Sequence, residues 1–269
     1  MSTVGVVPRL EVAEFDIPAR DDADGPLTCW EANDGIVLLG YRVKGIGWIA
    51  IPGIAAFRFD EAGNVAASPN GGSKREIHDA WVRSVLPLVV QARGTQVLHA
   101  SAVLGNGGVL ALCGTSTAGK STLAAALMQR GHQVIADDAL GFVVADGAAQ
   151  ALTMPFRLRL RPASAAHLGL APLASHGEGG EHHPLAEIVL LEPDAADGSS
   201  PRSELVPPSE AVGALMPHAY CFALEERKGE LVRTYASLTA SVPVRRLSFP
   251  QTLERLEETV DHFERRLGG

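Results

Sequence analysis

The strongest constraint on this chain is one short loop. Gly114-Thr115-Ser116-Thr117-Ala118-Gly119-Lys120-Ser121 matches the pattern G-x-x-x-x-G-K-[ST] in full. Such a loop has physical meaning when it follows a strand and opens a helix. Both conditions are met. Val109 to Cys113 is an apolar run suited to a strand, and Lys120 to Arg130 is rich in alanine and leucine, with Gly131 placed to end the helix. Glycines and small residues let backbone N–H groups curl around anionic phosphates. The helix start adds unpaired donors and the positive end of its dipole. Lys120 offers a charge to the β- and γ-phosphates, and the Ser121 hydroxyl can join the coordination shell of Mg²⁺. The loop and its first helical turn, Gly114 to Thr122, are expected to hold a nucleotide triphosphate. Thr117 stands where many such loops carry glycine, which predicts a less free curl.

Gln133-Val134-Ile135-Ala136 reads as a short strand that ends at Asp137-Asp138, 17 and 18 residues beyond Lys120. A strand tipped with acid, following a phosphate loop, is a common support for Mg²⁺. Two carboxylates allow a division of labour, one supporting the metal and the other accepting the proton of an attacking hydroxyl. Neighbouring side chains on a plain strand point to opposite faces, so both reach one site only if the strand end turns. Ile188 to Leu191 followed by Glu192 has the same apolar-then-acid look and is the second choice for the metal carboxylate.

Other polar residues invite function less strongly. His99 lies in the predicted strand Val97 to Leu104, which leads through the turn Gly105-Asn106-Gly107-Gly108 into Val109 to Cys113. Cys113 reads as a small buried strand-end residue rather than a nucleophile. Arg157, Arg159 and Arg161 alternate along an extended segment, Gln150 to Arg161, so all three share one face. Arg157 and Arg159 are possible contacts for phosphates or for an acidic substrate segment. His167, His176, His182 and His183 have irregular spacing in glycine-rich surroundings, and Ala171 to Pro184 is expected to be a polar loop.

The rest of the chain sets the frame. Residues 1 to about 72 read as β-rich, with short runs at Gly35 to Gly40, Trp48 to Pro52 and Ala55 to Phe59, the last pairing with Val65-Ala66-Ala67 as a hairpin. A linking helix is predicted from Lys74 to Arg93, with Ile77, Trp81, Val85, Leu88, Val89 and Ala92 on one face and a kink at Pro87. Leu185 to Glu192 is a predicted buried strand and Pro193 to Arg202 a loop. Ser209 to Met216 and Pro217 to Leu224 resist assignment. The chain closes on an amphipathic helix with Pro250 in its first turn and Leu253, Leu256, Val260, Phe263 and Leu267 on one face. Two regions follow: a β-rich N-terminal region with its linking helix over 1–95, and the loop-bearing domain over 96–269.

Charge and cysteine content narrow the partners. The 269 residues hold 23 basic and 31 acidic side chains, a net charge of −8, which argues against a nucleic-acid groove. No apolar run approaches the roughly 18 residues of a membrane span, so no membrane partner is expected. Met1 to Phe15 lacks the pattern of a signal peptide. Cys29, Cys113 and Cys221 are few and far apart, which suits a reducing compartment. A cytoplasmic location is expected.

Taken in order, Leu98-His99-Ala100-Ser101-Ala102-Val103, the hairpin, Gly114 to Thr122 and Arg130-Gly131-His132-Gln133-Val134-Ile135-Ala136-Asp137-Asp138 resemble the catalytic core of the HPr kinase/phosphorylase family. Pro184 to Pro193 and Val242 to Leu267 are similar to HPr-kinase-like proteins of biosynthetic clusters, some of them lasso-peptide precursor kinases. The resemblance implies an α/β fold with a mixed sheet around the phosphate loop, akin to phosphoenolpyruvate carboxykinase. It implies transfer of the ATP γ-phosphoryl group to a serine or threonine hydroxyl of a peptide or small protein. Possible self-association belongs to the same resemblance. It places Asp137 as general base, Asp138 beside it with Ser121 toward Mg²⁺, His99 near the phosphate and Lys120 on the triphosphate. The family's signature for the reverse, phosphate-dependent reaction is not visible, and that reaction is not expected.

Overall fold

The computed structural model describes residues 6–25, 28–31, 37–60, 64–171, 173–176, 179–194, 200–220 and 225–267. The fold is mixed α/β, and the chain divides into two compact units, the first running to Thr95 and also taking in Glu225, the second holding Gln96–Tyr220 and the chain from Glu226 on.

The first unit is built on a six-stranded sheet. Its strands are β1 (Leu10–Val12), β2 (Thr28–Glu31), β3 (Val37–Val43), β4 (Ile46–Ile51), β5 (Ala55–Phe59) and β6 (Val65–Pro69), in the order β1-β6-β5-β4-β3-β2. From β2 to β6 every neighbour is antiparallel, and β1 runs parallel to β6. The expected hairpin is present, with Phe57 opposite Ala67. Residues 35 and 36 of the run predicted at Gly35 to Gly40 lie outside the described residues.

The linking helix is two helices. Helix α1 (Lys74–Ala80) opens with a capping box: Ser73 Oγ accepts from the Glu76 amide while the Glu76 carboxylate accepts from the Ser73 amide. A π turn over Trp81–Val85 separates it from α2 (Leu86–Ala92). The Leu86 amide reaches back to the Trp81 carbonyl. Pro87 has no N–H to offer the ladder, and the widened turn absorbs it at the start of α2. Ile77, Trp81, Val85, Leu88, Val89 and Ala92 are all buried, as their spacing predicts.

The second unit continues with β7 (Gln96–Leu98), β8 (Ala100–Gly105), β9 (Gly108–Cys113), α3 (Lys120–Gln129), β10 (Gln133–Ala136), β11 (Leu140–Ala145), β12 (Ala148–Leu152), β13 (Phe156–Arg159), α4 (Pro162–Leu168), β14 (Leu173–His176), β15 (His182–Asp194), β16 (Arg202–Leu205), α5 (Pro208–Leu215), α6 (Glu225–Ser241), β17 (Val244–Pro250) and α7 (Leu256–Leu267). Nine strands form one mixed sheet in the order β10-β8-β9-β15-β12-β11-β7, with β17 also on β15 and β16 on β17. The long β15 runs parallel to β9 and β17 and antiparallel to β12. Strands β13 and β14 pair separately.

Both faces of the large sheet are covered, as a sheet with parallel strands at its centre requires. Alternation along β9 sends Val109, Ala111 and Cys113 to one core, shared with Leu215, Tyr235 and Leu238 of α5 and α6. Leu110 and Leu112 go to the other, shared with Leu123 and Leu127 of α3 and Val260 and Phe263 of α7. Arg130, at the end of α3, pairs with Glu257, Asp261 and Glu264 along α7.

Several expectations are corrected. Val97 to Leu104 is not one strand. It breaks at His99, whose amide donates to the His218 carbonyl, so β7 pairs with β11 while β8 pairs with β9 and β10. Much of Ala171 to Pro184 is strand rather than loop: β14 pairs with β13, and β15 begins at His182. Gly180 is fastened there by its amide to the Thr153 carbonyl, and a side chain on Gly179 would lie 2.8 Å from that same oxygen. Pro193 and Asp194 extend β15, and residues 195–199 of the predicted loop lie outside the described residues. Pro250 closes β17 instead of opening the last helix, which starts at Leu256 after a 3₁₀ turn. Ser209 to Met216 resolves into α5 and the start of a 3₁₀ turn (Met216–His218), while residues 221–224 are outside the description.

Candidate functional site

Strands β9, β15 and β17 are parallel, and β10 points the same way because it is antiparallel to β8, which is antiparallel to β9. Their carboxyl ends therefore meet at one edge of the sheet, where open α/β sheets bind ligands. Gly114 to Gly119 leaves β9 at this edge, Asp137 and Asp138 leave β10, and β8 begins there just after His99.

The loop curls tightly. Ala118 donates its amide to the Thr115 carbonyl at 3.1 Å, and a side chain on Gly114 would come within 2.9 Å of the Ala118 Cβ. Gly119 caps the helix at φ +94°, with open space where a Cβ would sit. Thr117 has φ +80°, a left-handed conformation that a β-branched residue adopts only under strain. The Gln251 side-chain amide donates to its carbonyl. Leu123 donates to the Gly119 carbonyl as the first bond of the helix ladder, so the amides of Lys120, Ser121 and Thr122 precede that ladder. The Thr122 hydroxyl is committed to Ser164 Oγ at 2.9 Å, which leaves its amide for an anion.

Lys120 is buried, with Nζ 2.9 Å from the Gly114 carbonyl and 3.2 Å from the Thr115 carbonyl. Burial holds its pKa below the usual lysine value, against the charges of Asp138 and Asp137. Cys113 beneath it is fully buried, and its thiol is pushed up to about 12, which makes it inert.

Asp137 is 4% exposed. Its Oδ1 accepts from Ser101 Oγ at 2.6 Å and from Ser121 Oγ at 2.8 Å, and its Oδ2 accepts from the Arg159 amide at 3.2 Å. Burial and then the Asp138 charge push its pKa up to about 6, against those hydrogen bonds. Asp138 supplies the turn that the pair requires, with φ +66°. Its main-chain carbonyl accepts from His99 Nδ1 at 3.0 Å and from the Tyr220 hydroxyl at 3.2 Å. A carbonyl can only accept, so His99 carries its proton on Nδ1. The expectation grouped Ser121 with Asp138 for the metal. In the structure the Ser121 hydroxyl bonds Asp137, and Asp138 acts on Lys120 through its charge. Desolvation first and then Lys120 lower the His99 pKa.

The remaining expectations sort by position. Arg157 is half-buried and Arg159 exposed, alternating with buried Phe156 and Leu158, so these two share a face of β13; the strand ends at Arg159, and Arg161 stands at the start of α4. Arg159 touches the site through its backbone, at Asp137. Glu192 is paired with Arg246 across 3.1 Å. His183 faces Glu181, and no three His, Cys, Asp or Glu side chains converge as a metal site among the described residues.

Sequence reading missed Ser101, His218, Tyr220 and Gln251 as parts of this edge. Ser101 carries a signal, being a hydroxyl buried within an apolar strand. The others are brought in by β-pairing and turns that no local pattern announces.

The donor set fits a nucleotide phosphate. Amides at a helix start, a buried lysine spending its hydrogens on loop carbonyls and a glycine with open space above it form a cradle for an anion. The Ser121 hydroxyl and the Asp137 carboxylate are hard oxygens of the kind Mg²⁺ takes beside phosphates.

No family model and no curated protein matches the sequence. Among solved structures, the Hpr(Ser) kinase/phosphatase from Coxiella burnetii is similar over 64% of this chain and 97% of that chain, at 16% identity and a TM-score of 0.33. Among the described residues no helix is long and apolar enough to cross a membrane.

Proposed function

We propose that this protein is an ATP- and Mg²⁺-dependent kinase that phosphorylates a serine or threonine hydroxyl of a peptide or small protein. The observation that carries the reading is the Ser121–Asp137 hydrogen bond at the mouth of the Gly114–Gly119 loop. It brings a metal-binding hydroxyl and carboxylate together beside Lys120, with a second carboxylate one residue on. The acceptor class rests on the resemblance carried by residues 98–138.

The Ser121–Asp137 bond favours exchanging the roles expected of the acid pair. Asp137, buried and bonded to Ser121, is the metal-side carboxylate. In this reading Asp138, half-buried and with its charge acting on both Lys120 and His99, takes the acceptor's proton. Mg·ATP, when bound, supplies the phosphoryl group and neutralises its oxygens. The loop amides, Lys120 and the helix start bind and orient the triphosphate. Lys120, now on the Gly114 and Thr115 carbonyls, is the residue that would hold the β- and γ-phosphates. His99, with its proton committed to the Asp138 carbonyl, offers a lone pair on Nε2 that can orient the acceptor hydroxyl. Arg157 and Arg159 present a basic face beside Asp137 that suits an acidic acceptor segment.

The test is incubation with γ-labelled ATP and candidate peptides, followed by mass spectrometry. Phosphoserine or phosphothreonine is the expected product. Label appearing only on free metabolites would reassign the protein to small-molecule kinases. ATP-dependent partner binding without any phosphorylated product would make it a nucleotide-gated binding module.

A further inference from the structure

The kinase reading uses Asp138 but leaves unexplained how a non-glycine residue is held at φ +66°. An aspartate tolerates that region at a cost of about 1 kcal/mol or more, so its surroundings must over-determine it. Two donors converge on its carbonyl oxygen: His99 Nδ1 at 3.0 Å and the Tyr220 hydroxyl at 3.2 Å. They come from opposite directions along the chain.

His99 is fixed by the break between β7 and β8, where its amide bonds the His218 carbonyl at 2.7 Å. Tyr220 is fixed two residues further along that same segment. Its amide bonds the Val97 carbonyl at 2.9 Å, and Ala219 bridges Leu98. The 216–220 segment thus zips onto the broken strand at several points, and its last described residue delivers the hydroxyl. The two rings stand 6.2 Å apart, close enough to define each other's place. The His218 side chain lies near His99 and Lys120; burial first, and then the repulsion that a His218 cation would meet from these groups, hold it down to about 4 and therefore neutral at physiological pH. No cation is added to the corner where Asp138 must work.

We propose that Tyr220 is a positioning residue of the phosphotransfer site: with His99 it clamps the main-chain carbonyl of Asp138, and so keeps the Asp138 carboxylate turned toward the acceptor side while Asp137 stays with Ser121. The proposal rests on the kinase reading for its consequence and on the carbonyl clamp alone for its geometry. Segment 216–220 becomes a third wall of the site, beside the glycine-rich loop and the acid-tipped strand.

The test is Tyr220→Phe in the full chain, which removes one oxygen and keeps the ring. Three readouts separate the possibilities. Turnover of γ-labelled ATP, with water or peptide as acceptor, is expected to fall about tenfold, because small misplacements of a reacting group are costly. Affinity for a fluorescent ATP analogue is expected to change less than about twofold and the melting temperature by no more than about 2 °C, which a purely structural role would not leave so still. Independently of any activity, the NMR carbonyl shift of Asp138 and its φ-dependent amide coupling are expected to move in the variant. Unchanged Asp138 signals, or unchanged turnover by an active enzyme, overturn the proposal. Moved signals in a protein that turns over no ATP at all support the clamp and remove the kinase reading.

Discussion

Ser121 Oγ donates to Asp137 Oδ1 across 2.8 Å, tying the first turn of α3 to the end of β10. This bond joins the two parts of the site that sequence spacing alone leaves separate, and it carries a pH dependence. Asp137 has its pKa raised from the ordinary 3.8 to about 6 by burial and by Asp138. The folded state thus holds a proton more tightly than the unfolded one. Its contribution to stability is complete below about pH 4 and is lost as pH rises through about 6, a swing of roughly 2–3 kcal/mol. Nucleotide-free protein in urea should therefore be less stable at pH 7.5 than at pH 5 by more than an Asp137→Asn variant is. Equal slopes for the two proteins would show that Asp137 is not the buried acid described here.

Asp138→Asn keeps a residue that tolerates the left-handed turn while removing the proton acceptor. Nucleotide affinity should stay within about threefold and transfer should fall about 10²- to 10⁴-fold. Measured side by side, Asp137→Asn should instead raise the Mg²⁺ concentration needed for half-maximal turnover. If Asp138→Asn transfers phosphate at the wild-type rate, the roles assigned to the pair are wrong.

Thr117 is exposed and strained at φ +80°, so its side chain contributes little packing. Thr117→Gly should raise stability in chemical denaturation by about 0.5–1 kcal/mol, the relief of strain outweighing the added freedom of the unfolded chain. A loss of stability would mean that the threonine side chain holds the loop.

Lys120→Met removes the cation from beneath the loop and leaves the Gly114 and Thr115 carbonyls without its hydrogen bonds. Binding of a fluorescent ATP analogue should weaken at least about tenfold, the loss of a charge-assisted contact. Retention of wild-type affinity would place the nucleotide somewhere other than this loop.

The Gly114–Gly119 loop, the acid pair and both strands leading into them are legible in the sequence because each depends on residues close in the chain. Alanine and leucine content marks α3, and apolar spacing marks the buried face of α1 and α2, for the same reason. The Lys74 to Arg93 helix was read as continuous because a π turn leaves the apolar spacing nearly unchanged. The break at His99 was invisible because the bond that causes it comes from His218. The 17-residue α6 went unassigned although Leu231, Tyr235 and Leu238 are spaced as one apolar face. The left-handed turn at Asp138 is out of reach for another reason: no pattern of side-chain types encodes the sign of a backbone angle.

The parallel pairing of β9 with β15, and of β15 with β17, also has a kinetic meaning. Gln251 steadies the loop from just past β17, so the cradle is complete only when chain far downstream has docked against strands made much earlier. Pairing over such separations is slow, because loop closure must precede the contacts that reward it. During synthesis residues 114–121 leave the ribosome long before Gln251 does, and the curled loop gains that support only once the downstream strands have docked.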